Sequence, residues 1–111
     1  MPQPSPLLKG TLDVLVLKAL AGGAMHGFEI TVWLEGRSAG HLAVDDGALY
    51  QSLHRMEARR LLKAEWGVTD NNRRARYYSL TASGRAYLRA ESESVLRSAR
   101  TVLTILGDAP A

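Results

Sequence analysis

The chain has 111 residues, 46% of them hydrophobic and 23% charged, with a net charge of +3. That length suits one domain rather than two, and the composition supports a real hydrophobic core. Cysteine is absent, which excludes a disulfide framework, a thiolate zinc site and a thiol nucleophile. No apolar run reaches the roughly 18–20 residues that span a bilayer. The first apolar stretch, Leu7 to Ala21, is broken by Lys9, Asp13 and Lys18 and has no basic segment before it. The expectation is a cytoplasmic protein without a signal peptide or membrane association.

Residues 1–6, with Pro2, Pro4 and Pro6, read as a disordered arm. From Leu7 the pattern turns helical: Leu8, Leu12, Leu15, Val16 and Ala19 recur at i, i+3, i+4 spacing, while Leu7, Val14 and Leu17 cover much of the other side. A helix this apolar around its circumference must be buried on nearly all faces, and a partner subunit is one way to cover the second face. Gly22-Gly23 ends it. A second helix is predicted from about His26 to Arg37, with Ile30, Trp33 and Leu34 as its core stripe. His41 to Val44 is a brief strand or an extended linker. Asp45 and Asp46 then offer acceptors to the free amides of a third helix, roughly Gly47 to Arg60, with Leu49, Leu53, Met56 and Leu61 inward.

The period then changes to two. Leu62, Ala64, Trp66 and Val68 alternate with Lys63, Glu65, Gly67 and Thr69, as in a half-buried strand with Trp66 on its core face. Asp70-Asn71-Asn72 is a turn cluster, and Ala75 to Leu80 returns as the second strand. Thr81 caps a last helix reaching to about Leu106, in which Leu88, Val95 and Val102 are spaced by sevens with Ala99, Leu103 and Leu106 beside them. Such a helix suits a seam between two subunits; packing back on its own domain is the alternative, which its length of about 37 Å argues against. The domain reading is therefore an arm at 1–6, a body at 7–80, a dimerisation helix at 81–106 and a tail at 107–111.

Three helices, a hairpin and a long closing helix give a mainly α fold with a small β-hairpin, in the order of a winged helix-turn-helix. A helix fits the DNA major groove, about 12 Å wide, and a hairpin beside it can lay cations on phosphates. The charge distribution agrees: seven of the fourteen Lys and Arg residues fall between Arg55 and Arg76, against three acids. The third helix offers Gln51, His54 and Arg55 on its outer side. Gly47 and Ala48 are small enough to let amides approach a phosphate. Arg73, Arg74 and Arg76 crowd the hairpin tip.

The strings LKGTLDVLVLKAL, HGFEI, GALYQSLHRMEARRLLKAEWG and NNRRARYYSLTASGRAYL resemble the PadR family of bacterial transcriptional regulators, in particular its short subfamily, over about Leu8 to Glu91. The resemblance implies a winged-helix homodimer that represses transcription from double-stranded operators with two half-sites. It implies that the C-terminal helix, joined by the first, forms the dimer interface, here through Leu8, Leu12, Leu88, Val95, Ala99, Val102, Leu103 and Leu106. It further implies that Tyr50 contacts the DNA backbone and that Arg73, Arg74 and Arg76 form a basic wing. Ala48 and Gln51 stand where the family commonly has Ser and Pro. That removes one hydroxyl from a phosphate contact and adds a side chain able to pair with adenine, which implies a changed operator preference.

Blander readings stand beside these. His26, His41 and His54 lack partners at ligand spacing except Glu57, so no metal and no cofactor are expected. His54 divides between DNA contact and packing. Trp33 reads first as core and second as a platform for a flat small-molecule effector. Lys9 and Asp13 read as a surface pair. No acid–base cleft, activated nucleophile or phosphate loop suggests an enzyme. The rival function is a winged-helix adaptor that binds protein rather than DNA.

Overall fold

The computed structural model describes residues 11–107. Leu8 and Lys9 lie outside the described residues, as do the arm and most of the tail. Six elements follow in order: α1 (Thr11–Leu20), α2 (Gly27–Arg37), α3 (Asp46–Ala58), β1 (Leu62–Val68), β2 (Arg74–Leu80) and α4 (Ala82–Leu106). The winged helix-turn-helix expected from the sequence is the fold observed. His41 to Val44 is an extended linker, not a strand, anchored by buried Leu42.

The apolar circumference of α1 sets the centre of the molecule. Val16, Leu17 and Leu20 are fully buried against Ile30 of α2, Leu49, Leu53 and Met56 of α3, and Tyr78 and Leu80 of β2. Much of the second face of α1, for which a partner subunit was one possible cover, packs against α2, α3, α4 and β2 of the same chain. Each such side chain, removed from water, contributes about 1.5–3 kcal/mol.

Side chains and backbone turns fix the helix ends. At α2, His26 Nδ1 accepts from the Glu29 amide while the Glu29 carboxylate accepts from the His26 amide, a reciprocal capping box that explains this histidine as structural. Both α2 and α3 close with a left-handed residue, Ala39 and Arg60, followed by a bond back to the preceding turn (Gly40 N–H to Glu35 O, Leu61 N–H to Met56 O).

β1 and β2 pair antiparallel from Leu62 opposite Leu80 to Val68 opposite Arg74. Asn72 supplies the left-handed turn residue between them. Met25 adds a short third rung on the other edge of β2, exchanging two backbone bonds with Tyr78. The expected core role of Trp66 needs correction. Its pleat faces the core side, as do Leu62 and Ala64, but the hairpin runs out past the body, leaving Trp66 63% exposed.

α4 begins where β2 ends. The Thr81 hydroxyl accepts from the Gly84 amide, and Thr81 also donates to the carbonyls of Arg60 and Leu61. This brings the first turn of α4 so close to the Leu61 carbonyl that a Cβ on Gly84 would collide with that backbone oxygen. Gly84→Ala is therefore expected to destabilise the fold by about 2–3 kcal/mol, while Ser83→Ala on the exposed side shifts it by less than about 0.5 kcal/mol. Denaturant unfolding of the two variants checks this.

Candidate nucleic-acid interface

The position of α3 is set from both sides. Ahead of it, the Glu35 carboxylate of α2 accepts from the Val44 amide at 3.0 Å and Ser38 accepts from Leu42, which stiffens the linker. The Asp45 carboxylate then caps α3 by accepting from the Ala48 amide at 2.8 Å. That contact alters the expectation at this helix start: the Ala48 amide already has an acceptor, and the Asp45 and Asp46 carboxylates stand where a phosphate would approach.

Beneath α3 lies the other constraint. Asp13 of α1 is buried, and its carboxylate accepts from the Ser52 hydroxyl at 2.6 Å and from two Arg55 nitrogens, at 2.6 and 3.3 Å. This overturns the reading of Asp13 as half of a surface pair with Lys9. It also gives Arg55 an intramolecular partner, whose hydrogen bond and charge raise the pKa of the guanidinium further above its usual range. With Ser52 and Arg55 turned toward α1, Tyr50, Gln51 and His54 face solvent.

Tyr50 leans over the start of α2. A Cβ on Gly27 would sit 2.7 Å from the Tyr50 hydroxyl, so glycine at this position leaves room for the ring. The HG and LY strings, remote in sequence, meet here. Behind them, the His26 ring meets Tyr77 edge-on at 5.3 Å, and Tyr78 is buried. Burial raises the pKa of the Tyr78 phenol, with nearby Arg76 partly opposing, so its hydroxyl stays neutral at physiological pH.

The three wing arginines divide. Arg76 lies back along β2, not at the tip, and its guanidinium pairs with Glu57 of α3 at 2.8 Å. Arg74 sits over the Trp66 ring at 4.6 Å, and Arg73 stands at the exposed turn. Among the described residues, neither Arg73 nor Arg74 has an acidic partner. Between α2, α3 and the hairpin is a cleft of about 900 Å³ lined by His26, Phe28, Tyr50, His54, Trp66 and the wing arginines. Phe28, not singled out from the sequence, is 72% exposed there. Trp33 lies elsewhere, half-buried in a shallow depression with Lys18, Met25 and Arg37.

Helices α2 and α3 with a polar outer face on the second, followed by a paired hairpin, define a winged helix-turn-helix protein. The family model described as the transcriptional regulator PadR-like family matches residues 16–90, and the chain belongs to that family. It is similar to a transcriptional regulator of Mycobacterium tuberculosis, 37% identical over 89 residues, covering 79% of this chain and 78% of that one. A PadR family transcription regulator from Clostridium difficile has a solved structure that is 26% identical with a TM-score of 0.70, covering 86% of this chain and 96% of that chain. Bacillus subtilis PadR, solved in complex with operator DNA, shares the fold at 19% identity and a TM-score of 0.65, over 72% of this chain and 45% of its own.

Asp13→Ala leaves the fully buried Ser52 hydroxyl without its acceptor, and is expected to cost about 1–3 kcal/mol. Arg55→Ala should cost less, since that side chain is half exposed and screened by water. Thermal unfolding of the two variants ranks them.

Proposed function

We propose that the chain is a homodimeric, cytoplasmic, DNA-binding repressor that reads operator half-sites with α3 and clamps the flanking backbone with its hairpin. The observation that carries this reading is the outer face of α3, with Tyr50, Gln51 and His54 exposed, beside a wing whose Arg73 and Arg74 have no acidic partner among the described residues. Gln51 and His54 are the sequence readers, because their donors and acceptors project beyond the helix toward base edges. Tyr50, Arg73 and Arg74 position the protein on phosphates. Arg55 and Arg76, held by Asp13 and Glu57, act mainly by fixing α3 and the hairpin. Ala48 borders the contact surface without an available amide.

The dimer reading rests on α4. Leu88 packs partly on the domain's own core, as Leu12 does, whereas Leu96, Val102, Leu103, Ile105 and Leu106 are exposed. Val95, Ala99, Val102 and Leu106 follow one another at steps of four, three and four, the spacing of a helix seam. A second copy of α4 covers that stripe, and pairing two readers matches an operator with two half-sites.

Affinity for duplex DNA is expected to fall steeply with salt. Arg73→Ala and Arg74→Ala should each weaken binding to all sequences and lower the salt slope by about one, while Gln51→Ala changes the preferred sequence. Fluorescence anisotropy across a salt series reads both; a parent protein that binds duplex feebly at every salt concentration would instead favour the protein-binding adaptor. Sedimentation of the parent should give a dimer at low micromolar concentration, and Val102→Asp with Leu103→Asp should give folded monomers whose melting temperature is lowered by loss of the dimer and no longer depends on protein concentration.

A further inference from the structure

The outer half of the hairpin carries apolar surface that the domain leaves uncovered. Trp66 and Val68 are 63% and 61% exposed and share the face that packs the core further down the strand. Across the ladder Trp66 pairs with Arg76 and Val68 with Arg74, which makes Arg74 the diagonal neighbour of Trp66 on that face. The Arg74 guanidinium lies 4.6 Å from the ring centroid. Phe28, also exposed, lines the same cleft from the first turn of α2.

A guanidinium held over a ring by its charge keeps N–H groups that can still reach a phosphate. A free arginine at a hairpin tip must give up much rotamer freedom on binding; one already resting on an indole gives up less. The ring's exposure means that its removal costs the folded domain little, so its contribution lies in what it does to Arg74.

We propose that Trp66 is a positioning residue for nucleic-acid binding, its indole holding Arg74 as a preformed phosphate clamp at the mouth of the cleft. This inference rests on the DNA-binding reading above and names a residue through which that reading works. DNA seated against Arg74 then lies close to the indole.

The test uses a Trp33→Phe parent, in which Trp66 is the one remaining tryptophan, and a short duplex of arbitrary sequence at low salt. Trp66 emission should change on binding, and its quenching by acrylamide should diminish. Trp66→Ala should keep the melting temperature and bind about three- to tenfold more weakly, whereas Trp66→Phe, which retains a ring face, recovers most of the loss. In an Arg74→Ala background the same Trp66→Ala change should cost less than about twofold, since there is no longer a guanidinium to hold. Equal losses in both backgrounds would overturn the positioning role. So would unchanged emission together with full affinity of Trp66→Ala, while a steep salt dependence in the parent left the DNA-binding reading standing. A parent that bound no duplex would overturn both.

Discussion

A single buried carboxylate orients the surface that meets the outside. Packing of apolar side chains is non-directional, so Leu49, Leu53 and Met56 could be buried with α3 rolled by some tens of degrees either way. Asp13 removes that freedom. A carboxylate inside an apolar helix has to be paired, and the groups that pair it, Ser52 and Arg55, are one turn apart on α3. Once both are turned toward α1, the residues between and before them have no choice of direction. The outward face of Tyr50, Gln51 and His54 is therefore a consequence of a contact made on the opposite side of the helix.

The charge concentrated between Arg55 and Arg76 overstates what the surface presents. Arg55 and Arg76 are ion-paired, and Arg59 lies over the ring of Tyr87 at 5.0 Å. Among the described residues, the cleft arginines left without an acidic partner are Arg73 and Arg74. Counting cations in a segment identifies the right region, but long side chains of opposite sign find one another across elements distant in sequence. Only the folded arrangement separates the cations that are paired from those that are not.

Elements defined by periodicity were legible: the change from 3.6 to 2 at Leu62, the Asp70–Asn72 turn, the Thr81 cap and the 25-residue α4 all follow from local chemistry. Contacts between elements were harder to see. Asp13 did carry a signal, for it stands at i−3, i−4 and i−7 from Val16, Leu17 and Leu20, the most buried stripe of α1. A charge on that stripe calls for a partner in the core rather than one on the surface. Trp66 misled for a different reason. Alternation tells which face of a strand a residue occupies, but not how far along the strand the body beneath it extends. The Met25 rung had no local pattern at all, since one residue pair suffices to make it.

Thr81 touches four parts of the fold within one residue: it follows β2, caps α4, and donates to the carbonyls of Arg60 and Leu61, where α3 hands over to β1. Gly84 seals the joint by letting the helix press against the Leu61 backbone. Such a joint ties the two elements by backbone and side chain together. Any tilt of α4 swings the hairpin and the end of α3 with it, and a helix of 25 residues gives that tilt a long lever arm. In geometric terms α4 stands to the hairpin as a shaft stands to its crank, joined at Thr81 and Gly84.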